Sequence, residues 1–520
     1  MKTALRLSTR SIGRGRSALG RRPVAAVAFL ASLSMLCAAC GSTVQARTTL
    51  PEGSLGDRSA SAGDPGLPGD SQAGGDGGGV QPGSGSGSGS AAGSQGPSAV
   101  STSAPSAADG VGPPVGPAAS TVQIGYSTVR DASTVTAGLG FTGFATGDMD
   151  AQMAAITAYA NHKGGLLGHK IVLVNHDTRF VDSTNDPGAS TEAACNNWTQ
   201  DHHVFAALDV VSLSYNSNAM ARCLAKHRAL LISTGDSDGS AASYAQPYGP
   251  FSADVISLER YLPGLVDRLA ARRFFTRWDT SAGEPGSAAV RIGLMHFEDP
   301  AGNRYAATLK KALAAHGLAI TSEVSFADGV TTSAQGGSAA VLKFRADGVT
   351  HVFDANLGFF ETAASQHYYP RMSVDDFVNT PAGLASQPGI AKVLHGAMGA
   401  GTAPAIEVPA PADTTSSATL CKQIMRKAGL DFSNAYTLAV MLSECDSVFL
   451  LVAAVNGGGE LSPEGFRRGL EALGDSFLPT LTYRSRFSAT KHDGAGAIRD
   501  YVYDDPCGCF RFPDSSLYPV

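Results

Sequence analysis

Basic charge is scarce in this sequence: 39 Lys and Arg residues stand against 45 Asp and Glu, a formal net charge of -6, with no basic stripe. That argues against nucleic acid as a partner, since phosphate binding needs clustered cations. The eight cysteines include no pair at zinc-ribbon spacing, and only Cys507 and Cys509 lie close together. A structural metal site is therefore not expected. The N-terminal apolar run, Pro23 to Ala39, is shorter than the ~20 residues a spanning helix needs, and it ends on small residues rather than stop-transfer charges. From Ser42 to about Ala119 aromatics are few and no hydrophobic period exists; Gly, Ser, Ala and Pro dominate, "GSGSGSGS" included. Such a segment cannot bury enough apolar surface to fold.

What the termini do contain is a plan for export. Lys2, Arg6, Arg10, Arg14, Arg16, Arg21 and Arg22 precede the apolar run, which closes on "LCAACGS", the order of a secretory signal. Ala38, Ala39 and Cys40, followed by Gly41 and Ser42, resemble a bacterial lipobox, with Cys37 where leucine is usual. The expectation is a signal peptide over residues 1–39, cleavage before Cys40, and lipidation of its thiol by palmitate-like acyl chains. At ~0.8 kcal/mol per buried methylene, two chains anchor stably where one does not. Residues 40–119 then form a tether with a root-mean-square span of ~50 Å. This places the folded part at the extracytoplasmic face of the cell membrane, where Cys195, Cys223, Cys421, Cys445, Cys507 and Cys509 are expected to form disulfides. Pairing between sequence neighbours gives Cys195 with Cys223, Cys421 with Cys445, and Cys507 with Cys509.

Beyond residue 120 strands alternate with helices. "TVQIGYSTV" reads as a strand, Met149, Met153, Ile156 and Ala160 recur at helical spacing, and "KIVLVN" follows Gly164 and Gly165 as the next strand. The pattern continues with a helix near 190–200, strand "VFAALDV", a helix over 216–227 and strand "ALLIST". After a helix near 258–271 a second series begins: "AVRIGLMHF", a helix over 305–315, "AITSEVSF", a helix over 339–346 and "THVFDAN". Such alternation predicts right-handed crossovers and parallel sheets covered on both faces. The expected fold is α/β: two doubly wound, Rossmann-like lobes, one from 120–249 plus 395–475, the other from 250–394 plus 476–520.

The helix, the segment "GGLLGHKIVLV" and the acid Asp177 closing the strand resemble the first crossover of type I periplasmic solute-binding proteins, the branched-chain amino-acid and amide receptors of ABC transporters. The segment "RFSATKHDGAGAIRDYVY" (486–503) resembles that family's late "HDG" hairpin, and the likeness runs from about Ser120 to the C-terminus. The resemblance implies a multi-crossing hinge and a non-enzymatic receptor without cofactor, catalytic residues or metal. Its expected partners are a small polar ligand, the membrane through the N-terminal lipid, and an ABC permease or a membrane sensor. Gly164, Gly165 and Gly168 are scaffold in this reading.

Ligand chemistry is expected at the carboxyl ends of the parallel strands. The resemblance assigns Ser214, Tyr215, Ser217, Asp236 and Ser237 in the first lobe, with helix capping as the competing role for Ser214 and Ser217. In the second lobe Asp299, Asp354, Asn356 and Phe359 follow strand ends, and the family's aromatic residue near Ala301 is missing unless Phe297 or Tyr305 replaces it. With Asp236 and Asp238 in one facing loop, Asp299 and Asp354 across the cleft, and no Lys or Arg in "VSLSYNS" or "STGDSDG", the ligand is expected to be zwitterionic, neutral-polar or cationic: an amino acid, amide or amine. Two enzymatic patterns compete. "GLGFTG" (138–143) matches a dinucleotide fingerprint but begins nine residues after Val129. "GDSDG" (235–239), with Ser237, matches a serine-hydrolase elbow but is not followed by a helical pattern.

Overall fold

The computed structural model describes residues 120–138, 145–180, 182, 186–209, 217–234, 239–327, 330–375 and 380–520. The expected signal peptide, the Cys40 lipid site and the tether lie outside them.

The first lobe is built on a five-stranded sheet in which Lys170–Arg179, Thr121–Arg130, Ala206–Asp209, Leu230–Ser233 and Pro250–Phe251 are neighbours in that order, every pair parallel. Helix Met149–His162 starts where the Asp148 carboxylate accepts from Ala151 N at 3.0 Å, and buries Met149, Met153, Ile156 and Ala160. It stops at Gly164 and Gly165, whose φ values of 115° and 61° disfavour side chains. Asn161 then clamps the incoming strand, its Oδ1 accepting from Ile171 N at 2.7 Å and its Nδ2 donating to Ile171 O at 2.9 Å. Asn456, from a distant helix, holds the same turn through Leu167 N and Gly165 O. All three glycines of the motif are therefore scaffold. That distant helix, Ala435–Gly458, is apolar nearly all round, apart from Ser443, Glu444, Asp446 and Ser447, because nearly all of it is buried inside the lobe, although its length and composition would suit a membrane span.

The second lobe carries a parallel sheet in the order Arg371–Met372, His351–Phe353, Ile292–Phe297, Ile320–Phe326. Helices Pro300–Ala315 and Val330–Ala346 cover it and begin earlier than the sequence pattern suggests. The second of these starts within a glycine-containing stretch of weak helical propensity. Tertiary packing compensates: a Cβ at Gly337 would sit 2.4 Å from Phe359 N, so close contact with helix Leu357–Ser365 requires glycine there. Strand Met398–Gly401 extends this lobe, bridging to Ser373 and pairing antiparallel with Ala497–Asp504.

The lobe boundaries sit later in the chain than the sequence suggests. Pro250–Phe251 is the first sheet's edge strand, Met398–Gly401 belongs to the second lobe, and Phe477, Leu481 and Phe487 pack in the first core. The crossings therefore fall near 252–257, 402–403 and 488–496 rather than at 249, 395 and 476. At the first and third, Ser252 N donates to His492 O and Gly494 N donates to Ser252 O at 2.8 Å. A Cβ on Gly494 would lie 2.4 Å from Ser252 O. The buried Asp493 carboxylate accepts from Ser257 N at 2.8 Å, at the start of helix Leu258–Ala271, and pairs with Arg260 and Lys491. Beside it Asp254 accepts from Ser252 and Ser443 hydroxyls, both at 2.9 Å, and Asp446 accepts from Thr480 N and Leu481 N. Burial pushes the Asp254 carboxyl up to about 6 and holds Asp446 well above the usual range, with the Asp254 charge adding to the latter.

Cys195 is joined to Cys223, Cys421 to Cys445 and Cys507 to Cys509. The first two, spanning 28 and 24 residues, each restrict the unfolded chain by ~3.5 kcal/mol in the loop-entropy account.

Asp493→Ala should lower unfolding free energy by about 3 kcal/mol in urea, because it leaves Lys491 buried without its counter-charge. A loss below about 0.5 kcal/mol, the range of an ordinary surface change, would show that this carboxylate does not hold the crossing.

Candidate functional site

Parallel strands aim their carboxyl ends, and the helix N-termini that follow, to one side of each sheet, which is where open α/β sheets collect ligands. In the first lobe the expected Ser214, Tyr215, Asp236 and Ser237 lie outside the described residues. Ser217 opens helix Ser217–Lys226, and its side chain is likewise outside the description. The described strand ends there are acidic. Asp209 is buried and accepts from the Ser127 hydroxyl at 3.2 Å. Asp131, at φ 55°, accepts from Phe180 N. Asp150 receives the Tyr126 hydroxyl and the Asn175 amide. Glu444, on the long buried helix, has both carboxylate oxygens buried without a hydrogen-bond partner. Burial first, then the charges of Asp150 and Asp148, holds it well above the usual carboxylate range.

The second lobe sorts the expected residues by role. Asp299 caps helix Pro300–Ala315, its Oδ1 accepting from Gly302 N at 2.6 Å. Asn356 caps Leu357–Ser365 by accepting from Phe359 N at 3.0 Å. Strand-to-helix turns place cap residues at the positions that ligand-binding residues also occupy, so sequence position alone does not separate the roles. Phe359 is fully buried among Phe344, Phe360 and Tyr368, which makes it a core residue rather than a cleft aromatic. Phe297 packs on Phe326 at 4.8 Å.

Asp354 differs. It ends strand His351–Phe353 in the left-handed region at φ 58°, is 8% exposed, and keeps Oδ1 without a hydrogen-bond partner. Non-glycine residues held there mark strain worth explaining. Asp375 follows the end of the neighbouring strand, and the Tyr305 hydroxyl donates to its Oδ2 at 2.9 Å. Burial and then the Asp375 charge hold the Asp354 carboxyl well above its usual range; burial and then both carboxylates raise the Tyr305 phenol. Two carboxyl groups thus share a desolvated place at adjacent strand ends. Burial and the Asp375 charge favour the protonated form of Asp354, and an ammonium group placed against it would let it ionise. Asp375 was invisible to strand patterning because its strand, Arg371–Met372, is only two residues long.

The competing enzymatic patterns gain no support. After "GDSDG" the chain passes through non-helical Gly239 and Ser240 to a single turn, Ala241–Tyr244, not the long helix an elbow needs. Asp177, the suggested ribose acid, pairs with Arg130. Among the described residues no group of three or more His, Cys, Asp or Glu is arranged to hold a metal ion.

Two doubly wound lobes with polar strand ends define a hinged binding protein. A family profile described as "Periplasmic binding protein" matches residues 140–502, and the chain belongs to that family, one of solute-binding proteins rather than enzymes. Solved structures share its fold. A substrate-binding periplasmic protein from Ralstonia solanacearum is 17% identical, covers 77% of this chain and 100% of its own, and has a TM-score of 0.53. A branched-chain amino acid ABC transporter protein from Thermus thermophilus with bound valine is 16% identical over 77% and 97%, with a TM-score of 0.54. A solute-binding protein from R. palustris in complex with 4-hydroxybenzoate is 13% identical over 76% and 97%, at 0.55. No curated protein sequence matches the chain.

Because Asp354 is raised in the folded state, its contribution favours folding below the ordinary carboxylate range and is lost as pH rises toward the raised value. Ligand-free Asp354→Asn should therefore be more stable than wild type by about 1–2 kcal/mol at pH 8 and no more stable at pH 4. Urea denaturation at both pH values checks this. A difference independent of pH would contradict it.

Proposed function

We propose that the protein is a lipid-anchored, extracytoplasmic receptor that closes its two lobes on a small zwitterionic, neutral-polar or cationic solute and hands it to an ABC permease. The observation that carries the ligand class is the buried pair Asp354 and Asp375, with Tyr305 bound to the latter, at the strand ends of the second lobe. In a partly desolvated site, unit charges ~4 Å apart interact by about 4 kcal/mol at an effective dielectric of 20, so an anion facing this pair is repelled and an amine attracted. The first-lobe loops "VSLSYNS" and "STGDSDG" supply hydroxyls and further acids but no Lys or Arg. The valine named for the Thermus thermophilus relative is a zwitterion of the expected kind, while 4-hydroxybenzoate, named for the R. palustris relative, shows that an aromatic acid occurs on the same fold. Transport rather than sensing is favoured by the ABC transporters named for those two relatives. Membrane attachment rests on "LCAACGS" and the Gly/Ser-rich tether.

A thermal-shift panel of amino acids, amides, amines, phosphate and dicarboxylates tests the ligand class. A ligand at 1,000 times its dissociation constant stabilises by ~4 kcal/mol. Amines or amino acids should shift the transition, and Asp354→Asn should abolish most of that shift. A response to dianions alone would falsify the assignment.

The anchor is tested separately. Cys40→Ala should move the protein from membrane to soluble fractions or leave an uncleaved precursor, because acyl chains provide the retention. Wild-type protein carrying an intact, unmodified N-terminus would rule the anchor out.

A further inference from the structure

The three disulfides differ in each property that governs thiol–disulfide exchange. Cys195, Cys421 and Cys445 are fully buried, and their bridges span 28 and 24 residues. Cys507–Cys509 spans two residues, in the turn between strands Ala497–Asp504 and Cys509–Arg511, with Cys507 exposed and Cys509 half-buried. A ring closed over Gly508 alone restrains little of the unfolded chain, so little free energy opposes its opening. The hairpin is already registered by the pairs Val502 with Arg511, Tyr503 with Phe510 and Asp504 with Cys509. Its fold does not depend on the bridge.

Two neighbours favour exchange. Arg511 Nε donates to Cys507 Sγ at 3.4 Å, and the Asp504 carboxylate, 2.8 Å from the same Nε, holds the guanidinium in place. A guanidinium beside sulfur stabilises the thiolate, which makes Cys507 the better leaving group. Cys509, half-buried, borders a cavity of about 720 Å³, walled also by Pro409, Pro411, Phe510 and Phe512, with room for a small thiol beside it.

We propose that Cys507–Cys509 is a thiol–disulfide exchange site, opened by external dithiols while the protein stays folded and its other two disulfides stay closed. A thiolate of the dithiol attacks Cys509 Sγ, the S–S bond breaks, and its electron pair leaves on Cys507 Sγ next to Arg511. The second thiol of the dithiol then attacks the mixed disulfide and releases Cys509. The chain gains two electrons and two protons as the dithiol becomes a cyclic disulfide.

Native protein treated with graded dithiothreitol, quenched with iodoacetamide and peptide-mapped reads the proposal directly. Cys507 and Cys509 should be alkylated at concentrations about tenfold or more below those that open the other four cysteines, with near-ultraviolet dichroism unchanged. Arg511→Gln should slow opening at pH 7 about threefold or more, and Arg511→Lys should restore much of the rate. Labelling of all six cysteines at the same concentration, resistance of Cys507 and Cys509 until the protein unfolds, or an unchanged rate in Arg511→Gln would overturn it.

Discussion

The lobes depend on one close crossing of backbone. Between residues 252–257 and 488–496 the chain passes itself with so little room that a Cβ on Gly494 would stand 2.4 Å from Ser252 O. The neighbouring Asp493 accepts from Ser257 N, at the start of helix Leu258–Ala271, so the same few residues join the lobes and launch the second one. Arg260 and Lys491 keep that buried carboxylate charged-paired. Adding a side chain at Gly494 or removing the Asp493 carboxylate therefore disturbs more than a local contact. Hinges built of several crossings absorb backbone rotation at a few residues while each lobe moves as a body.

A second constraint runs through both lobes: carboxyl groups whose burial favours the neutral acid. Asp254 and Asp446 meet beside the crossings, Glu444 lies in the first lobe, and Asp354 meets Asp375 in the second; burial is the leading cause of the raised values of Asp254, Asp446, Glu444 and Asp354. At each of these four, burial favours the neutral acid over the carboxylate. Structural acids at the hinge are satisfied by hydroxyls and backbone amides, as Asp254 is by Ser252 and Ser443. Asp354 retains an unpartnered oxygen. An unpaired buried polar atom costs free energy that only a partner returns, which leaves this strand-end oxygen open to a ligand group.

Much of this was legible in the sequence because the signals were local. "GGLLG" needed left-handed glycines, "KIVLVN" a strand, and Leu258 to Ala271 a helical period, and each element formed where patterned, although "KIVLVN" is an edge strand in which only Ile171 is fully buried. The boundaries were harder, because Met398–Gly401 joins the second lobe through pairing with a strand about a hundred residues away. The site was harder still. Asp299 and Asn356 stand where a binding residue would, yet cap helices, and only the hydrogen bonds distinguish the roles. Phe359 reads as a cleft aromatic until packing places it against Phe344. Asp375 gave no periodic signal, and its pairing with Tyr305 joins residues 70 apart in sequence.

A cationic group of the ligand is expected to take the place of a proton held on Asp354 beside Asp375. Isothermal titration calorimetry at pH 7 with the most stabilising amine or amino acid, repeated in buffers of different ionisation enthalpy, counts the protons exchanged. Release of close to one proton per ligand bound is expected, reduced toward zero in Asp354→Asn. Binding with no proton release, or with proton uptake, would contradict it.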